Sequence, residues 1–139
     1  MKNPVSSESV ETVLRKILGN DGCTLSTPRA HGETGVDIHC GKGDEVWHIE
    51  TIAYKKAGPS RAKDFFEAFF RVVSRLNDGA THCVLALASE FRTGLPARAK
   101  NHRVAWKRIG EAFPELEIWL VDVQNETVTK HTWNEWLDK

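Results

Sequence analysis

Hydrophobic positions along this chain recur with two periods, and the switches between them lay out its elements. Val10, Val13, Leu14, Ile17 and Leu18 recur at three and four, which predicts one apolar stripe on a helix over residues 6–18. Ser6 or Ser7 supplies the N-cap and Gly19-Asn20 the stop. Residues 23–30 read as a short strand cut by Pro28, and the glycines of residues 29–35 permit tight turns. A period of two then takes over. Val36, Ile38 and Cys40, then Trp47 and Ile49, alternate with Asp37, His39, His48 and Glu50. The two runs flank Gly41-Lys42-Gly43-Asp44, which predicts a hairpin. A four-residue turn there pairs Cys40 with Glu45, Ile38 with Trp47 and Asp37 with His48. The second run continues through Tyr54 and exits at Lys55-Lys56-Ala57-Gly58-Pro59.

Helical spacing returns after Ser60, a candidate cap. Phe65, Phe66, Phe69, Phe70, Val73 and Leu76 form an aromatic stripe expected in the core, and Asn77-Asp78-Gly79 ends it. Residues 81–88 are an unbroken apolar run, as in a strand covered on both faces and joined to a parallel neighbour by a crossover helix. Residues 92–108 read as a loop with Gly94 and Pro96, then a helix through Val104, Ala105, Ile109, Ala112 and Phe113. A strand follows over 116–123, then a turn at Gln124-Asn125-Glu126 and a short edge strand over 127–132. Thr132 caps a last helical turn whose Trp133 and Trp136 pin the end of the chain to the sheet. The order is helix, strand, hairpin, helix, strand, helix, strand. It predicts an α/β fold of one domain over residues 1–139, a mixed β-sheet flanked by helices on both faces.

Composition changes this picture little. A chain of 139 residues, 40% hydrophobic and 27% charged, supports one domain with a real core. Net charge is zero, so an anionic partner must be read from local patches. The three cysteines show no metal-binding spacing and no close pair, which predicts reduced thiols in a cytoplasmic protein. No signal-peptide pattern or membrane-length apolar run is present, so no membrane partner is expected. The local patch lies in residues 92–108, where Arg92, Arg98, Lys100, Arg103, Lys107 and Arg108 occur with no acid. Such a segment suits a phosphate backbone.

The chemistry-bearing stretch is the polar face of the hairpin. Asp37 and Glu50 are diagonal neighbours there, about 7 Å apart between strands. Adjacent carboxylates repel unless a cation lies between them, and hard oxygen ligands suit Mg²⁺ or Mn²⁺. Glu11 flanks the apolar stripe of the first helix and can reach the edge of the sheet. His39 and His48 share the acid face, as softer metal ligands, as bases near neutral pH, or as hydrogen-bond partners of the carboxylates.

Gly35-Val36-Asp37-Ile38 followed by Val46-Trp47-His48-Ile49-Glu50, in this order of elements, resembles the restriction-endonuclease-like, or PD-(D/E)xK, nuclease superfamily. The likeness is nearest to type IV-like restriction enzymes and Holliday-junction resolvases. It implies a restriction-endonuclease-like fold and metal-dependent hydrolysis of phosphodiester bonds in DNA. Asp37 and Glu50 would then bind Mg²⁺ (or Mn²⁺), Glu11 would complete the site, and the protein would work as a homodimer or within a larger assembly. One position departs from the pattern. The family places a lysine two residues beyond the second acid, where this chain has Ile52, and isoleucine can neither orient water nor stabilise developing phosphate charge. Lys56 has the right strand parity but lies four residues on, about 13 Å along an extended chain. Lys63 on the second helix is another candidate, and Lys55 faces the wrong way unless the strand breaks. Alternatively no lysine serves, and the fold is a catalytically inactive module that binds nucleic acid or a protein partner.

Overall fold

In the computed structural model, which describes residues 3–28 and 36–139, every element but the shortest follows one of these two periods. Helix α1 (Ser7–Asn20) leads into strands β1 (Thr24–Leu25), β2 (Ile38–Lys42) and β3 (Glu45–Ile52). Helix α2 (Gly58–Val73) precedes β4 (His82–Ala88), and helices α3 (Leu95–Asn101) and α4 (Arg103–Ala112) precede β5 (Leu116–Asp122) and β6 (Thr127–Thr132). Tight 3₁₀ turns lie at Ser74–Asp78, Ser89–Thr93 and Asn134–Asp138. The strands form one six-stranded sheet in sequence order. β1, β2 and β3 pair antiparallel, β3, β4 and β5 parallel, and β6 returns antiparallel to β5. The mixed sheet expected from the sequence is therefore present, with helices on both of its faces.

Each face buries its own core. Val10, Val13, Leu14 and Leu18 of α1 pack on Ile38, Ile49, Val84, Ala86, Trp119 and Val121. On the other face Phe65, Ala68 and Val72 of α2, with Leu95, Ala99 and Trp106, cover Ile52, Cys83, Leu85, Leu87, Ile118 and Leu120. β4 and β5 send alternate residues to the two cores, so they read as continuous apolar runs. Among the described residues, no helix is long and apolar enough to cross a membrane.

The structure corrects several expectations. Of the strand expected over 23–30, β1 holds Thr24–Leu25 among the described residues, and residues 29–35, which include Gly35, lie outside them. The hairpin turn has two central residues, not four: Lys42 pairs with Glu45, and Gly43 takes φ 61° at the first central position. Cys40 therefore faces Trp47, Ile38 faces Ile49, and His39 faces His48. The register has moved by two residues, one full period, so the paired side chains of β2 and β3 keep their expected faces. β3 stops at Ile52, and Tyr54 instead exchanges backbone hydrogen bonds of 2.9 and 3.0 Å with Val5.

α2 starts earlier than expected. Ala57 is its N-cap and Pro59 sits in its first turn, where a missing N–H costs nothing. The phenylalanine stripe divides: Phe65 is fully buried and Phe69 partly so, but Phe66 and Phe70 are 40% and 69% exposed. Residues at positions i and i+1 lie about 100° apart on a helix, and the sheet covers only one of each pair. Residues 92–108 hold two helices rather than a loop and a helix, because Pro96 opens α3 and the turn at His102 separates it from α4. The closing turn is 3₁₀, with Trp133 and Trp136 buried as expected. Cys23, just before β1, and Cys40 of β2, 17 residues apart in sequence, lie in contact. Burial and that neighbour push the Cys40 thiol up to about 12.

Candidate functional site

β3 presents His48, Glu50 and Ile52 to the α2 side of the sheet, where they are 6%, 2% and 3% exposed. Glu50 lies at the base of a cleft of about 140 Å³ whose wall includes Lys55, Asp64, Glu67 and Arg71. A charge buried this deeply needs a partner. Arg71 approaches it, with Nη1 3.9 Å from Glu50 Oε2. Arg71 also approaches Glu67 at 3.6 Å, and Lys55 pairs with Asp64 at 2.8 Å. The α2 residues of the cleft, Asp64, Glu67, Ala68 and Arg71, follow helical spacing of three, four and seven. That spacing was available in the sequence, but the aromatic stripe beside it is the stronger signal.

Asp37 sits in a bend just before the β2 ladder begins. Its Oδ2 accepts hydrogen bonds from the Thr51 backbone N–H at 2.9 Å and the Thr51 hydroxyl at 3.0 Å. The carboxylate thus replaces the strand partner that β2 no longer supplies to β3. Asp37 and Glu50 are brought to adjacent positions of β3, with Oδ2 of Asp37 engaged at the strand edge and Oε2 of Glu50 facing Arg71. Glu11 accepts a 2.8 Å bond from Arg15 Nε. Arg15 in turn donates through Nη2 to the Asp37 carbonyl at 2.8 Å and through Nη1 to the Ser26 carbonyl. Glu11 is therefore one side chain away from Asp37, with a guanidinium between them. The i,i+4 spacing of Glu11 and Arg15 carried that signal.

The lysine candidates separate clearly. Ile52 belongs to the α2-side core. Lys56 is exposed and does not line the cleft. Lys63 points outward, 74% exposed and 3.8 Å from Glu67. Lys55 reaches the cleft because β3 ends before it, but its ammonium is committed to Asp64.

His39 and His48 meet edge to face, ring centroids 4.7 Å apart at 86°. Neither ring nitrogen of His48 has a hydrogen-bond partner among the described residues, so the expected bond to a carboxylate is not made there. Burial first, then the neighbouring His39, holds the His48 imidazole below its ordinary value; Asp78 opposes this and Arg75 adds to it. In the unfolded chain His48 takes up a proton near pH 6.5, which the folded state resists. Stability contributed by the neutral ring is therefore complete above that pH and is lost as pH falls toward the folded value. Thermal melts should show Tm declining from pH 7 to pH 5, with a shallower decline in His48→Leu; identical slopes would refute the assignment. Glu45 acts in a lower window. Hydrogen bonds from His82 and Thr81 hold its carboxyl down, so its contribution is lost only in the acid range.

The basic segment runs from the 3₁₀ turn Ser89–Thr93, which holds Arg92, through α3 and α4. Lys100, Arg103 and Lys107 are exposed, and no ion pair among the described residues involves them. Two expected phosphate ligands are otherwise engaged. Arg92 donates to the Thr129 hydroxyl at 3.0 Å. Arg98 lies over the rings of Phe65 and Phe66 at 5.2 and 5.8 Å, and burial lowers its pKa.

No group of three or more His, Cys, Asp or Glu side chains converges on one point among the described residues. Asp37 and Glu50 remain the candidate oxygen donors, and the guanidinium of Arg15 engages Glu11. Comparisons of the chain with protein-family models, with curated proteins and with solved structures find no match.

Proposed function

We propose that this chain is a nucleic-acid-binding module on a nuclease-type scaffold, and that it does not hydrolyse its ligand. The carrying observation is the α3–α4 surface, where Lys100, Arg103 and Lys107 stand exposed in a stretch without an acid. Phosphate contacts are supplied by such cations. The order of elements and the adjacency of Asp37 and Glu50 support the scaffold reading, a restriction-endonuclease-like fold. Ile52 in the core, Lys55 held by Asp64 and Glu11 held by Arg15 support the loss of cutting.

One observation favours a second reading, metal-dependent cleavage of DNA with Mg²⁺ or Mn²⁺ at Asp37 and Glu50. Arg71 stands 3.9 Å from Glu50 in the same cleft, a cation that would stabilise phosphate charge in place of the lysine. Plasmid, linear and branched DNA incubated with Mg²⁺ or Mn²⁺, beside Asp37→Ala, separates the two. Salt-sensitive retention without cleavage supports the module, and cleavage abolished by Asp37→Ala supports the enzyme. Absence of both at low salt defeats both.

Restoring the family's lysine gives a sharper prediction. Ile52→Lys puts an ammonium where 3% of the residue is exposed, with Glu50 two residues away on the same face. Burying that charge should cost about 3 kcal/mol or more, roughly 10 °C in Tm, without creating cleavage. A variant as stable as the parent that cuts DNA with Mg²⁺ would contradict the proposal.

A further inference from the structure

Phe70 is the most exposed large hydrophobic side chain of the described residues, at 69%, and Phe66 follows one helical turn before it at 40%. Exposed neighbouring aromatics carry a free-energy cost unless something covers them. Phe66 is also braced. Phe65 meets it edge-on at 5.3 Å and His102 at 5.7 Å, with the Arg98 guanidinium 5.8 Å from its centroid. A ring held this way loses little entropy when a flat partner stacks on it.

The surroundings select the partner's charge. Lys63 and Arg71 share the shallow apolar surface with the two rings, their side chains 74% and 58% exposed. His102 links the patch to the start of α4, where Arg103 is exposed. Glu67 is the single acid lining the patch, and it lies beside both Lys63 and Arg71. An acidic, apolar-faced ligand fits this surface, and nucleic acid combines anionic backbone with planar π-faces. Paired bases inside a duplex have no free face. Glu67 and Arg71 also line the Glu50 cleft, so a strand laid on the patch runs past it.

We infer that Phe66 and Phe70 form a stacking platform for the unpaired bases of a single-stranded segment, with Lys63, Arg71 and Arg103 along its phosphates. The inference rests on the nucleic-acid-binding reading and names the ligand's class: single-stranded or locally opened nucleic acid.

The test uses fluorescence anisotropy with labelled oligonucleotides in EDTA, so that no cleavage intervenes. The probes are a twenty-nucleotide oligo-dT and an abasic oligomer of equal length and charge. A stacked base contributes about 1–3 kcal/mol, which corresponds to roughly 5- to 150-fold. The full chain should bind oligo-dT at least fivefold more tightly than the abasic oligomer. Phe70→Ala, and more fully Phe66→Ala/Phe70→Ala, should reduce that preference toward one while leaving abasic binding unchanged. Phe70→Trp should keep it. Equal affinity of the parent for both probes, with salt-sensitive binding, overturns the platform but leaves the electrostatic module standing. No affinity for either probe defeats both. If Phe70→Ala instead converts a dimer to a monomer in sedimentation, without any base preference in the parent, the patch is a protein interface and the inference fails.

Discussion

On the proposed reading, replacing Lys100, Arg103 and Lys107 together by alanine should lower affinity for oligonucleotides by roughly a hundredfold, at about 1 kcal/mol for each expected phosphate contact. The slope of log K against log salt concentration flattens by about 3, one unit for each lost contact. The three side chains are exposed and make no ion pair among the described residues, so the folded state gives up little and Tm should stay within a few degrees. This contrast is the diagnostic part. A salt titration of the triple variant beside the parent measures it. An unchanged slope would place the phosphate contacts elsewhere and remove the main support for nucleic-acid binding.

Trp106→Ala has the opposite signature, a large loss of stability. Trp106 is 1% exposed and stacks on Trp133 at 4.0 Å and on Phe65 at 5.9 Å. Each indole N–H donates to the other residue's backbone carbonyl at 2.8 Å. Truncation removes the stack, leaves the Trp133 carbonyl without its donor and opens a cavity. Trp→Ala changes of this kind cost about 3–5 kcal/mol, a large part of a typical 5–15 kcal/mol, or roughly 10–20 °C in Tm. Circular dichroism melts check this, and a loss below about 1 kcal/mol would mean that the cluster is dispensable. The consequence reaches function, because Trp106 anchors the helix that carries Arg103 and Lys107. Trp106→Ala should therefore weaken nucleic-acid binding on warming, whereas Trp106→Phe should keep most of both.

The helices and strands were legible because their periods are local properties. The stripe of Val10, Val13, Leu14 and Leu18, the two-residue alternation from Val36 to Ile49 and the apolar run of β4 each determine which face is buried. They do so whatever lies opposite. That is why His39 and His48 keep their expected face although the hairpin turn is two residues shorter. The acids of the candidate site, and the cations of residues 92–108, could likewise be named from the chain.

Tertiary structure decided which charges meet and which rings stay outside. Arg71 comes to Glu50 across 21 residues of sequence, and Arg15 comes between Glu11 and Asp37; such partners depend on how α1 and α2 lie on the sheet. Phe66 and Phe65 are indistinguishable as hydrophobic positions, yet only one faces a sheet wide enough to cover it. Ile52 marks the boundary between the two kinds of information. Its sequence position shows only that an apolar residue follows two places after Glu50, and only the tertiary structure shows that this residue is packed into the α2-side core. Periodicity depends on the backbone's own geometry, whereas side-chain partnership depends on the distance between elements remote in the chain.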